Sequence, residues 1–109
     1  MSTYWFVLGI AVFTEIVWAM SLKYIQLHPS PWTIGGSFLL SCCNMALLSY
    51  AMRGLSPSTA YAIWVGLGSV GMTLGSAYFF KDPVTPLRLV FIGFITLGVV
   101  GLKLVSKAA

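Results

Sequence analysis

Glu15 stands inside the run TEIVWAM, residues 14 to 20, near the middle of an apolar stretch that reaches from Tyr4 to Leu22. It is one of only two acidic residues in the chain. A charged group at the centre of a membrane-spanning helix costs roughly 2.5 to 3.5 kcal/mol on insertion scales, so a carboxylate kept there faces a cavity or a partner and works there. No basic residue lies deep in any apolar stretch to serve as its permanent counterion. The counterion must then come from outside, as a proton or a cationic ligand. The structural alternative is a protonated Glu15 making a single hydrogen bond.

The neighbouring residue types suit a cation. Trp18 follows Glu15 by three positions and shares its helical face, and Tyr61 and Trp64 are also three apart. Aromatic faces attract cations by about 0.5 to 2 kcal/mol each, and a planar guanidinium stacks on them well. Taken singly, each of these aromatics would be a packing or lipid-facing residue; Glu15 is what gives them a shared purpose. Asn44 enters from the opposite side of the membrane and, at about 1.5 Å per residue, reaches within about a turn of the depth of Glu15. Other chemistry is scarce. His28 is alone in a polar loop, and Cys42 and Cys43 are adjacent, with side chains about 100° apart, so they read as small apolar packing residues. With no nucleophile–base pair and no metal-ligand cluster, neither an enzyme nor a bound metal or cofactor is expected.

The elements that must position these residues follow from composition. Of 109 residues 59% are hydrophobic and 7% charged, against about a quarter charged in an ordinary soluble domain. A chain this small cannot hide so much apolar surface in a core of its own, so lipid or a partner chain must cover it. KYIQLHPSP, RGLSP and KDPVTP interrupt the apolar sequence and leave four segments, about 4–22, 32–52, 58–80 and 87–105, in one domain spanning residues 1–109. Each is long enough to cross about 30 Å of hydrocarbon as a helix. Helices are preferred to strands because a lipid-exposed chain must satisfy its backbone internally and no barrel-like alternation is present. The first segment, with an acid inside it and no basic leader, reads as a span and not as a cleavable signal. Tyr4, Trp5 and Trp32 lie where interfacial aromatics anchor spans.

Four spans put both termini on one side, with Arg53, Lys103 and Lys107 there and Lys23, Lys81 and Arg88 on the other. Three cations against three cast no vote for orientation. The chain is therefore expected to insert both ways, and two opposite copies to pair as an antiparallel dimer; an even spread by chance is the plainer alternative. The net charge of +4 is scattered over helix ends and is not a nucleic-acid patch. In the third segment Gly68, Gly71 and Gly75 fall on one stripe that would let a neighbouring helix approach closely. Gly66 and Gly68 are a candidate hinge, with a plain packing groove as the alternative. Gly93, Gly98 and Gly101 suggest a further close contact, between protomers.

Three stretches, TEIVWAMSLKY, STAYAIWVGLG and GVVGLKLVS, resemble the small multidrug resistance family, and the Trp three residues after Glu15 resembles its guanidinium exporter branch. Drug-exporting members usually carry Gly and Thr where this chain has Val17, Trp18 and Ala19. The resemblance implies an all-α integral membrane protein of four transmembrane helices, multi-pass in the bacterial inner (plasma) membrane and working as an antiparallel, dual-topology homodimer. It further implies that paired Glu15 residues form a shared proton and substrate site, that Trp18, Tyr61 and Trp64 line the pocket, and that Lys103 of the GLK motif has a structural or gating part. Where guanidinium exporters usually have Ser, alignment puts Asn44, bulkier and able to donate as well as accept; a shift of one residue would bring Cys43 there instead.

The expected function is proton-coupled antiport. Protons and guanidinium-like cations, including small substituted guanidines, compete for Glu15, and alternating access exposes the site to one side at a time. The alternatives are a promiscuous exporter of quaternary ammonium compounds and other drugs, a small dual-topology ion channel that needs no titratable acid in its path, and an accessory helix bundle of a larger complex.

Overall fold

A computed structural model of the chain describes residues 3–105; Lys107 and Ala109, which enter the charge count and the orientation of the C-terminus, lie outside the described residues. Within them are four helices, α1 (Thr3–Leu27), α2 (Pro31–Ala51), α3 (Pro57–Phe79) and α4 (Pro86–Val105). All four are long and apolar enough to cross a membrane.

Proline decides where three of them begin. Pro31, Pro57 and Pro86 each occupy the first helical position, where the missing N–H loses nothing and the fixed φ is already helical. Each span therefore starts one residue before the boundary drawn by treating proline as a break. The preceding hydroxyl residue caps the start. Ser30 Oγ accepts from the Thr33 N–H at 3.1 Å while Thr33 Oγ1 accepts from the Ser30 N–H at 3.1 Å, a reciprocal capping box. Ser56 caps α3 and Thr85 Oγ1 accepts from the Arg88 N–H in the same way. The first helix runs five residues past Leu22 because nothing between Lys23 and Leu27 opposes a helix. It ends where His28 precedes Pro29, a position at which α conformation is disfavoured.

In space the helices lie in the order α2, α1, α3, α4, with α1 and α3 in the middle and α4 packed chiefly on α3. The protomer is a slab of 44 × 35 × 19 Å, not a closed bundle. Its core is correspondingly small, built on Leu8, Ala51, Leu55, Ala60, Ile63 and Val99. Val99 is the one buried residue of α4 among those described, and large apolar side chains such as Phe91, Phe94 and Leu97 are exposed.

The α1–α3 seam is what brings Glu15 against α3. A Cβ at Gly68 would lie 3.2 Å from Glu15 Cγ, one at Gly71 would overlap the Ile16 side chain, and one at Gly75 would lie 2.9 Å from Met20 Sδ. Three glycines thus receive three side chains of α1, those of Glu15, Ile16 and Met20. By contrast, nothing lies within 4 Å of the Cβ positions of Gly93, Gly98 and Gly101, so these glycines form no contact inside the protomer. Hydroxyls that face the lipid-exposed surface bond back to their own helix, as Thr14 Oγ1 does to the Ile10 carbonyl and Thr96 Oγ1 to that of Ile92, both at 2.9 Å.

Candidate functional site

The middle of the slab holds a hydrogen-bonded chain across three helices. Asn44 Nδ2 donates to Glu15 Oε1 at 2.7 Å, and Trp64 Nε1 donates to Asn44 Oδ1 at 3.4 Å. The order of donors fixes the amide: reversed, it would turn its carbonyl toward a carboxylate and its NH2 toward an indole N–H, losing both bonds. Asn44 is buried, whereas Glu15 and Trp64 are half-buried. Tyr61 continues the chain, its ring centroid 5.5 Å from that of Trp64, and its side chain opens to the outside of the protomer.

Each helix presents its member for a local reason. On α2 the buried residues are Ser37, Asn44 and Ala51, seven apart and therefore on one stripe, which faces α1. Cys43, one residue away, points outward and is exposed, so the amide of Asn44 and not a thiol lies beside the carboxylate. Cys42 is exposed as well. Reading the two cysteines as packing residues is therefore corrected within the protomer: the stripe that packs is occupied by Ser37, Asn44 and Ala51, and both cysteines lie off it and are exposed. On α3 the absence of a side chain at Gly68 is what admits the Glu15 stem.

The carboxylate is half engaged. Oε1 is held by Asn44, while Oε2 receives no hydrogen bond among the described residues. A cation with N–H donors can bond to Oε2, and a planar guanidinium pairs with a carboxylate and stacks on aromatic rings especially well.

Several expected members stand apart from this chain. Trp18 is half-buried on α1, and its backbone carbonyl accepts from Ser21 Oγ at 2.5 Å. Gly66 faces α4, where a Cβ would lie 2.8 Å from Val99 Cγ2, and α3 runs as unbroken helix through both Gly66 and Gly68. Lys103 sits near the other end of α1, its Nζ 5.1 Å from the centroid of Trp5, beside an apolar groove of ≈ 320 Å³ between α1, α3 and α4. Trp5 precedes Glu15 by ten residues, about 15 Å along the axis. A second polar link between α1 and α2, absent from the sequence reading, joins Ser21 Oγ and Ser37 Oγ at 2.9 Å. The seven-residue spacing that puts Ser37 on the same face as Asn44 was the available signal for it.

Comparison with known proteins adds a second line of observation. The sequence profile of the family described as Small Multidrug Resistance protein matches residues 3–95. A protein of Proteus vulgaris named Guanidinium exporter is 42% identical over 106 residues, covering 94% of this chain and 98% of that one. Proteins of the same name from Salmonella typhimurium (strain LT2) and Escherichia coli (strain K12) are 42% and 39% identical over 104 residues, covering 92% of this chain and 95% of theirs.

Proposed function

The chain belongs to the Small Multidrug Resistance protein family, and from that premise we propose that it exports guanidinium or small substituted guanidinium cations in exchange for protons. It is a multi-pass protein of the bacterial inner membrane and is not an enzyme. The proposed working unit is an antiparallel, dual-topology homodimer with Glu15 of each protomer as the proton and substrate site, Trp18, Asn44, Tyr61 and Trp64 as the pocket, Gly66 and Gly68 as the hinge, and Lys103 in a structural or gating part.

The observation that carries the proposal is the carboxylate of Glu15, placed in the middle of a spanning helix with one oxygen held by Asn44 and the other open. The names of the relatives support the substrate class. Guanidinium keeps its charge near neutral pH, so it requires an ionised Glu15, and a proton on the same carboxylate excludes it. Mutual exclusion couples the two fluxes. The ionised site carries the cation outward and releases it, and a proton from outside takes its place on the carboxylate. The site returns inward protonated, because an empty, charged site in the middle of the membrane is costly, and there gives the proton up. Asn44 bonds one oxygen of Glu15 and Trp64 bonds Asn44, a linked pair of hydrogen bonds that restricts how the carboxylate can turn.

The test is transport current from purified protein reconstituted on a solid-supported membrane, with guanidinium, guanylurea and a tetraalkylammonium as substrates. Guanidinium currents that disappear in Glu15→Gln are expected. Currents that survive in that variant would remove the coupling role from Glu15, and a preference for tetraalkylammonium would reassign the substrate.

A further inference from the structure

Five basic residues lie among those described, and three of them have a partner inside the protomer. The Arg53 guanidinium lies 5.4 Å from the Tyr50 ring centroid, Lys103 sits over Trp5, and Arg88 Nη1 donates to the Pro83 carbonyl at 3.0 Å and lies 4.0 Å from Asp82 Oδ2. Lys23 and Lys81 have no hydrogen bond, ion pair or ring partner among the described residues. These same two lysines, one from the end of α1 and one just beyond α3, line a single groove of ≈ 450 Å³ with Met72, Ser76, Phe80 and Asp82.

Lys81 is held there against its backbone preference. Its φ is 57°, the one positive value at a non-glycine residue among those described. Glycine is the default for a left-handed position just past a helix end, so a lysine in this place asks for a reason beyond the turn. The turn itself is pinned by Ser76, whose carbonyl accepts from the Phe80 N–H at 2.9 Å and the Asp82 N–H at 3.2 Å. Two lysines without partners among the described residues, one on α1 and one in the turn after α3, line the same groove, and their like charges favour an anion there. Asp82 does not fill that need: its Oδ2 accepts from Ser76 Oγ at 3.4 Å and faces Arg88.

The groove runs from within α3 at Met72 to the end of that span at Phe80 and Lys81, toward the depth of lipid headgroups, and apolar Met72 and Phe80 line it together with the two lysines. We propose that it binds an anionic phospholipid, the ammonium groups of Lys23 and Lys81 holding the phosphate while Met72 and Phe80 pack against the first carbons of the acyl chains. The inference is independent of what Glu15 carries.

The test is mass spectrometry of the intact protein released from detergent containing equal amounts of phosphatidylglycerol and phosphatidylcholine, with thermal unfolding of each variant alongside. Wild type should retain phosphatidylglycerol at least tenfold over phosphatidylcholine. Basic residues at an anionic surface contribute about fivefold each, so Lys23→Gln with Lys81→Gln should lower retention about 25-fold, whereas Arg53→Gln at the other end should not change it. Lys81→Gly keeps the left-handed turn with the residue suited to it; its unfolding temperature should match or exceed wild type while retention falls about fivefold. Equal retention of the two lipids, or phosphatidylglycerol unchanged in either lysine variant, overturns the proposal. Displacement of phosphatidylglycerol by glycerol 3-phosphate at matched concentration would show a site for free phosphate esters and would equally overturn it.

Discussion

Asn44 does two jobs with one amide, and its removal separates them from the charge of Glu15. Asn44→Ala leaves Glu15 Oε1 and Trp64 Nε1 without their partners. A hydrogen bond to a charged group contributes about 1.5 to 3 kcal/mol, part of which water restores, so the half-saturating guanidinium concentration should rise about tenfold in current measurements. Asn44→Ser should recover part of the loss, because a hydroxyl can still donate to the carboxylate but cannot reach Trp64 as well. An unchanged value in the Ala variant would remove Asn44 from the positioning of Glu15. Competition at Glu15 has its own signature: lowering pH at fixed substrate should raise the apparent dissociation constant of guanidinium, and raising pH should bring it to a plateau. A binding constant flat across pH would refute a shared site. Glu15 stood out in the sequence as a candidate because a carboxylate in the middle of an apolar run is costly to keep there. The bridge through Asn44 was legible only as a match in depth. Spacing along one helix tells which residues share its face, but not how that face is rotated toward a neighbour, and so it could not distinguish Asn44 from Cys43 or leave Trp18 outside the hydrogen-bonded chain.

The helices themselves were readable because proline, short polar clusters and apolar length are local signals. Their packing was not, since lipid is as apolar as a protein core and removes the contrast between buried and exposed faces that marks a soluble helix. The α4 helix shows the difficulty: its apolar residues run all round it, yet only Val99 is buried among those described. Small residues carry the information instead, and the α1–α3 seam makes this testable. Gly71→Ala places a methyl group into the Ile16 side chain. Overpacking of this kind costs about 1 to 3 kcal/mol, which should appear as reduced resistance to chemical unfolding in bicelles. Pairing it with Ile16→Ala should return most of that stability, because the space removed and the space filled are the same. Gly68→Ala is subtler: its methyl group at 3.2 Å from Glu15 Cγ forces the carboxylate stem aside by a few tenths of an ångström. It should reduce transport severalfold with little loss of stability, and the same measurement bears on its nomination as a hinge.

A slab 19 Å thick cannot enclose a water-filled chamber around a half-buried carboxylate, and lipid cannot solvate one. A second copy placed face to face would supply the missing wall, with the open glycines of α4 available for close approach. The charge balance suggests that this copy is inverted. Arg53, Lys103 and Lys107 stand against Lys23, Lys81 and Arg88, a balance that casts no vote for orientation and supports the proposed insertion in either sense. Ser58→Arg with Lys81→Gln adds one cation to the first group and removes one from the second, turning three against three into four against two. Arg53→Gln with Gln26→Arg does the reverse. A reporter fused after Ala109 should lie on both sides of the membrane for the parent chain, and on opposite single sides for the two variants. Each variant expressed alone should lose most guanidinium export, for want of an inverted partner, and co-expression should restore it. Full export from either oriented variant alone would mean that a parallel pair or a single protomer can form the site, and the antiparallel dimer would have to be abandoned.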